Sequence, residues 1–122
     1  MNLYLAAPWA SRDTLPAIAT QFEAAGHTII ERWWEHADVD FANPRNIPEL
    51  EDIATRDFMG VVQADVLVVI NSALSEGKAV EMGIAIARFI PIILVGTRTN
   101  IFHFIPSVYP VRDVRAALRK LA

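Results

Sequence analysis

Three short segments of the sequence are apolar at nearly every position, and they constrain the fold more than any other feature. They are Asn2–Ala7, Asp65–Ile70 and Ile92–Val95. Each is too short for a helix, and strands that are apolar on both faces are typical of the interior of a parallel sheet. Segments with a helical spacing of apolar residues follow the first two. The sequence therefore predicts a parallel sheet covered by helices on both faces.

The rest of the chain alternates helical and strand patterns. Predicted helices cover 15–25, 48–64, 78–89 and 114–121, and further strands cover 27–32 and 108–111. Because right-handed crossovers join parallel strands, this order predicts an α/β fold with a doubly wound, five-stranded parallel sheet flanked by helices. We expect a single domain over 1–122, a flavodoxin-like or Rossmann-like three-layer sandwich. In such sheets, ligands bind beyond the carboxyl ends of the strands.

Composition excludes several kinds of site. The 122 residues include no cysteine, which rules out thiol catalysis and cysteine-based metal sites, and the three histidines show no ligand spacing. We expect no metal and no cofactor. The net charge of −3 does not favour polymeric nucleic acid or an anionic membrane as a partner. With no long apolar run and no basic leader, a cytoplasmic protein is expected.

One carboxylate stands where the helical pattern calls for an apolar residue. Asp57 lies four residues after Ile53 and four before Val61, on the inward stripe of the predicted helix 48–64. A buried carboxylate without a partner is costly, so Asp57 is expected to be hydrogen-bonded at a site or to have a raised pKa. The alternative is a slightly rotated stripe that leaves Asp57 solvated at its edge.

Glu81 is a second candidate, in the first turn or so of the helix that follows the strand Asp65–Ile70. Its side chain is expected to lean toward the helix N-terminus and hence toward the cleft beyond the strand ends. The helix dipole there favours the ionised carboxylate, which is the form that a nucleophile needs. The alternative is a surface glutamate that only complements the dipole.

The turn between that strand and helix, NSALSEG, is rich in small and hydroxyl residues. Ser72, Ser75 and Gly77 resemble a phosphate cradle, in which backbone amides and hydroxyls face an anion. The turn is not a P-loop, because Ser72 stands where that motif has glycine and Ala79 where it has a hydroxyl residue. A phosphate or sugar site and a plain capped turn are the two interpretations.

Aromatic residues near the strand ends also allow two interpretations. Tyr4, in the middle of the first strand, either packs in the core with its hydroxyl satisfied or orients a carboxylate. Trp9, Trp33 and Trp34 follow strand ends, where an aromatic face either stacks on a base or packs against the core and its rim. Spacing alone does not decide between these roles.

Three motifs together resemble the nucleoside 2-deoxyribosyltransferase superfamily, which also includes the 2'-deoxynucleoside 5'-monophosphate N-glycosidases. They are YLAAP at Tyr4–Pro8, RDFMGVVQAD at Arg56–Asp65 and SEGKAVEMGIA at Ser75–Ala85. The resemblance runs from Asn2 to about Pro106, and the segment NIFHFIP is similar to a compact bacterial and phage branch.

The resemblance implies an enzyme that cleaves the N-glycosidic bond of a 2'-deoxyribonucleoside or its 5'-monophosphate, with transfer to water or to another nucleobase. Glu81 would be the nucleophile that forms a glycosyl–enzyme ester, and Tyr4 would orient its carboxylate. Asp57 would bind the sugar hydroxyls or assist departure of the base. The alternative is a non-catalytic nucleotide-binding module with the same fold.

The resemblance also implies substrate-binding residues. Ser75 stands where the transferases usually have aspartate, and serine there resembles the monophosphate-hydrolysing branch, in which the hydroxyl contacts the 5'-phosphate. The loop after the first strand, with Pro8 and Trp9, lacks the serine and arginine with which that branch holds phosphate, unless Ser11 and Arg12 substitute for them.

Further expectations concern the second half of the chain. Lys78 and Arg98 are additional candidates for phosphate binding. Asn100 and His103 resemble residues that relatives donate to a neighbouring subunit's pocket, so a homodimer or higher homo-oligomer with shared active sites is expected. The loop Glu35–Pro48 is expected to shape the mouth of the pocket.

Overall fold

Five parallel strands form one sheet in the computed structural model, which describes residues 1–122. The strands are β1 (Asn2–Ala6), β2 (Thr28–Ile29), β3 (Val66–Ile70), β4 (Ile92–Val95) and β5 (Val108–Val111). Their order across the sheet is β2-β1-β3-β4-β5, and every neighbouring pair is parallel. This order is that of a flavodoxin-like doubly wound sheet, so the predicted fold class is confirmed.

Four α-helices complete the three layers. They are α1 (Leu15–Ala24), α2 (Ile47–Gln63), α3 (Glu76–Ala87) and α4 (Val114–Leu121). The helices α2 and α3 pack against each other on one face of the sheet, and right-handed crossovers place α1 on the opposite face. No helix is both long enough and apolar enough to cross a membrane.

The core lies along the central strands, as their apolar sequences predict. All residues of β3 and β4 are buried, and so are Leu3–Ala6 of β1. The edge strand β2 differs from its prediction over 27–32, because only Thr28–Ile29 pair with β1. The chain then turns away at Glu31, which has a φ of 50°, and enters a 3-10 turn at Trp33.

Helix ends follow local capping. Helix α3 begins at Glu76, two residues before the predicted start, because the Ser75 side chain accepts a hydrogen bond from the backbone N–H of Lys78 at 3.3 Å. It ends at Ala87 rather than Phe89, since Phe89 has the left-handed φ of 59° that stops helices. Pro48 occupies the first turn of α2, a position that proline favours.

Helix α2 approaches β1 most closely at Gly60, and this contact locates the site described below. A Cβ atom at Gly60 would lie 2.8 Å from Cβ of Glu31 and 2.9 Å from Cε2 of Tyr4. Real Cβ contacts are longer than this, so the missing side chain makes room for the Tyr4 ring beneath the helix. Gly60 is therefore required by packing, and its backbone conformation is ordinary for a helix.

Gly60→Ala is expected to destabilise the protein by about 1–3 kcal/mol, because the added methyl group overpacks the space against Tyr4. Gly83→Ala is the matched control, since a Cβ at Gly83 in α3 meets nothing within 4 Å. Alanine there should stabilise the helix by up to about 1 kcal/mol. Urea unfolding measures both changes, and equal effects of the two substitutions would contradict this packing account.

Candidate active site

The predicted residues Tyr4 and Glu81 meet between the sheet and α3. Tyr4, in the middle of β1, is fully buried, and its hydroxyl donates a hydrogen bond to Oε2 of Glu81. Strand β1 lies beside β3, and α3 follows β3, so the sheet order brings two residues 77 positions apart into contact. The structure thus supports the orienting role for Tyr4 over simple core packing.

The pKa of Glu81 is raised to about 7: burial is the main cause, the Tyr4 hydrogen bond opposes the rise, and the charge of Asp57 adds to it. The helix dipole is expected to favour the ionised carboxylate of Glu81, but burial has the larger effect on its pKa and favours the neutral acid. Glu81 is the sixth residue of α3, and the dipole acts mainly within the first turn. The pKa of Tyr4 is raised far above its ordinary value by burial and by Glu81, so its hydroxyl keeps its proton.

Asp57 on α2 faces the same space. Its Oδ1 is buried and has no hydrogen-bond partner. Burial raises the pKa of Asp57 to about 6, although His36 and Arg56 lower it and Glu31 adds to the rise. Of the two outcomes expected for a carboxylate on the inward stripe, a hydrogen bond or a raised pKa, Asp57 shows the raised pKa.

Three residues beside Asp57 were not among the predicted site residues: Glu31, His36 and Arg56. An oxygen of Glu31 lies within hydrogen-bond distance of His36 Nε2, at 3.3 Å, and Arg56 Nη1 lies 3.9 Å from the same oxygen. The ligand atoms of Glu31, His36 and Asp57 lie within 4.8 Å of one another, close enough to hold a metal ion. Arg56 already supplies a positive charge to this cluster.

A cavity of about 1040 Å³ opens beside Glu81 and Asp57, and we call it the large cavity. Its walls are α2, α3 and residues 36–42, so the loop that the sequence places at the pocket mouth does lie there. Ala54 and Phe58 of α2 are exposed and line this cavity rather than the core. Most of the lining is apolar: Ala7, Trp9, Trp33, Ala37, Val39, Phe41, Ala42, Leu50, Ile53, Ala54, Phe58, Val80 and Ile84.

The loop after β1 contributes only part of its predicted binding residues. Trp9 lines the large cavity, 6.1 Å from Trp33 between ring centroids, whereas Pro8 and Arg12 do not line it. Arg12 lies over the Trp9 ring at 4.3 Å, and its Nη1 donates to the Trp9 carbonyl at 3.0 Å. Ser11 reaches the next loop, where its Oγ lies 2.9 Å from that of Ser72.

The turn before α3 provides Ser75, Gly77 and Lys78 to the large cavity. The Lys78 side chain is buried, and its ammonium group donates to Oδ1 of Asn71 and to the carbonyl of Ala73. Burial lowers the pKa of Lys78. The two hydrogen bonds from its ammonium group hold the turn against the end of β3.

Asn100 and His103 lie elsewhere, at a smaller cavity of about 360 Å³ that shares Ser75 and Lys78 with the large one. His103 is only 2% exposed, and its Nδ1 accepts a hydrogen bond from the backbone N–H of Thr99 at 2.9 Å. The structure does not bring these two residues to Glu81 of the same chain.

Glu81→Gln is expected to raise the melting temperature by a few degrees at about pH 8 and not at about pH 4. The pKa of Glu81 rises on folding from 4.5 to about 7, so ionising the carboxyl group in the native state lowers stability as pH increases across this window. Glutamine removes that cost. Calorimetry at both pH values measures it, with Glu51→Gln as an exposed control. An equal shift of the melting temperature at both pH values would contradict a raised pKa of Glu81 in the folded protein.

Three of the solved structures that are similar to this chain are described here. The CMP N-glycosidase BcmB of Clostridium botulinum has a TM-score of 0.66 at 16% identity, with 99% of this chain and 98% of that chain covered. A 2-deoxyribosyltransferase from Bacillus psychrosaccharolyticus has a TM-score of 0.71 at 20% identity, with 97% and 90% covered. A conserved protein from Enterococcus faecalis V583 has a TM-score of 0.58 at 19% identity, with 99% and 87% covered. At these identities the likeness concerns the fold.

Sequence comparisons identify the family. No curated protein matches the chain significantly. The model of the family described as nucleoside 2-deoxyribosyltransferase matches residues 3–107, which contain Tyr4, Asp57 and Glu81. This match confirms the resemblance drawn from the three motifs, and the chain belongs to the nucleoside 2-deoxyribosyltransferase family of enzymes.

Proposed function

We propose that this protein cleaves the N-glycosidic bond of a 2'-deoxyribonucleoside or its 5'-monophosphate, with Glu81 as the nucleophile. The observation that carries the proposal is the hydrogen bond from Tyr4 to Glu81 at the wall of the large cavity, beside the unpaired carboxyl group of Asp57. Family membership supports the reaction class. The cavity is large enough for a small ligand of nucleoside size.

The proposed first step forms one bond and breaks one bond. An oxygen of ionised Glu81 attacks the anomeric carbon of the sugar, and the bond from that carbon to the base nitrogen breaks with its electron pair leaving on the base. The transition state resembles an oxocarbenium ion, and a carboxylate close to it stabilises the developing positive charge. Tyr4 holds Oε2 of Glu81, which leaves Oε1 to form the glycosyl ester.

Asp57 serves either the sugar or the leaving base in this proposal. A carboxyl group with a pKa of about 6 exists in both protonation states near neutral pH. The protonated form can donate a proton to the departing base, and the ionised form can accept hydrogen bonds from sugar hydroxyls. Its buried, unpartnered Oδ1 supports either contact, since a substrate group would supply the missing partner.

The second step transfers the sugar from Glu81 to water or to another nucleobase. The apolar and aromatic lining, including Trp9, Trp33 and Phe58, supports binding of a planar base in the large cavity. Ser75 and Gly77 line this cavity, which supports a contact with the sugar. Arg12 lies over the Trp9 ring outside the lining, so any contribution from it passes through that side chain; Pro8 does not line the cavity.

The homo-oligomer with shared active sites stays a prediction. Light scattering measures the oligomeric state. Exposed apolar residues next to Asn100 support a covered surface there: Ile101 is 74% exposed, Phe102 64% and Phe104 61%. His103 is held inside its own chain by Thr99. Asn100, which is exposed, is therefore the better supported donor to a neighbouring pocket.

Incubation with 2'-deoxyribonucleosides and their 5'-monophosphates, with and without an acceptor base, is expected to release or exchange the base. Glu81→Gln should lower the rate at least about a thousandfold, because the nucleophile is lost. Glu51→Gln, with an exposed carboxylate on α2, should retain full activity. Chromatography measures the products. Saturable binding without base release, unaffected by Glu81→Ala, would instead indicate the non-catalytic module.

Tyr4→Phe is expected to move the ascending limb of the kcat/KM–pH profile to higher pH. The limb reports ionisation of Glu81 at a pKa of about 7, and the Tyr4 hydroxyl stabilises the ionised form. At neutral pH the rate should fall about tenfold to a hundredfold, the value of a hydrogen bond to a charged group. Tyr109→Phe, at an exposed tyrosine, is the control. An unmoved limb would contradict the orienting role of Tyr4.

A further inference from the structure

We infer that the large cavity takes the unphosphorylated nucleoside and discriminates against its 5'-monophosphate. This inference rests on the proposed function and narrows its substrate class. It follows from the charges that line the cavity, from the partners of the nearby cations and from the state of the α3 N-terminus.

Four carboxyl groups line the large cavity: Asp38, Asp40, Asp57 and Glu81. Asp38 and Asp40 lie in the exposed 36–42 wall at the mouth. A 5'-phosphate carries nearly two negative charges at neutral pH, so it would be repelled along its entry path as well as at the site. A nucleoside carries the same base and sugar without this repulsion.

The cations at this end of the sheet already have partners. Lys78 is the only lysine or arginine in the lining, and its ammonium group is bound to the oxygens of Asn71 and Ala73. To reach a phosphate, the ammonium group would have to give up both of these charge-assisted hydrogen bonds. Arg12 is stacked on Trp9 and bonded to its carbonyl.

Other basic groups are committed elsewhere. His36, also in the lining, faces Glu31 at 3.3 Å. Arg56 pairs with Asp52 at 3.0 Å, and its Nη1 lies 3.9 Å from Oε1 of Glu31. Arg98, a sequence candidate for phosphate binding, lies 4.6 Å over the Phe104 ring and is absent from the lining.

The N-terminus of α3, where an anion would gain most from the helix dipole, already carries a cap. The Ser75 hydroxyl oxygen accepts the backbone N–H of Lys78, and the Ser75 carbonyl accepts that of Ala79 at 3.2 Å as the first intrahelical bond. Glu76 adds a carboxylate in the first turn. Of the two interpretations of this turn, the capped turn is favoured over the phosphate cradle, since a phosphate would compete with the cap and meet a like charge.

The test compares a 2'-deoxyribonucleoside with its own 5'-monophosphate, so that the base is constant. Two quantities are measured for each compound. The first is kcat/KM with the wild-type protein, and the second is the affinity of the Glu81→Gln variant for the compound, measured by calorimetry, which does not require turnover. We expect the nucleoside to be preferred at least about tenfold in both, and the preference to shrink as salt rises, because screening weakens repulsion between exposed charges. A monophosphate that binds or reacts as well as the nucleoside overturns the inference, and so does a nucleoside that does not bind.

The outcomes separate this inference from the proposed function. A nucleoside that binds preferentially but releases no base defeats the function and leaves the charge discrimination standing. A monophosphate that is hydrolysed faster than the nucleoside confirms the function and defeats the discrimination.

A pair of variants tests whether charge causes the preference. Asp38→Asn with Asp40→Asn removes two carboxylates from the cavity wall, and should narrow the gap between nucleoside and monophosphate severalfold. Glu49→Gln with Glu51→Gln removes the same charge from outside the lining and should leave the gap unchanged. If both pairs narrow the gap equally, net charge rather than the cavity wall is responsible, and the inference fails.

Discussion

The site depends on one hydrogen bond, from the buried hydroxyl of Tyr4 to the carboxyl group of Glu81. It joins the middle of the sheet to the second turn of α3, and so fixes the nucleophile candidate against the fully buried part of β1. Burial alone would favour the neutral acid and keep it unreactive. The tyrosine hydroxyl opposes that tendency, and the pKa of Glu81 stays near 7, where the anion is accessible at neutral pH. The same burial reduces stability at high pH, a conflict common at active sites.

Gly60 connects this hydrogen bond to the rest of the pocket. Because Gly60 has no side chain, α2 can lie directly over Tyr4, and this close approach brings Asp57 to the cavity wall. Asp57 in turn raises the pKa of Glu81 through its charge. The packing of α2 on β1 thus links the position of Asp57 to the pKa of Glu81. A change that lifts α2 is expected to alter the geometry and the protonation of both.

Much of this site could be predicted from the sequence, because its parts follow simple periodicities. Strand ends locate the cleft, and the helical stripe singles out Asp57. The protonation state of Glu81 could not be predicted, since it depends on burial by α2, which is distant in the sequence, and burial outweighs the helix dipole. Lys78 shows the same limit: a lysine after a small-residue turn suggests phosphate binding, yet its ammonium group binds oxygens of that turn. Glu31 has no local signal, because a left-handed turn after a two-residue edge strand brings it to the site.

The central claim is that Glu81 forms a covalent bond with the sugar, and peptide mapping after rapid acid quenching tests it directly. The protein is mixed with a 2'-deoxyribonucleoside, quenched within one turnover and digested, and the peptides are analysed by mass spectrometry. The account predicts a deoxyribosyl adduct on the peptide that contains Glu81, and no adduct in Glu81→Gln. Base release without any adduct on that peptide, or an adduct on Asp57 instead, would contradict it.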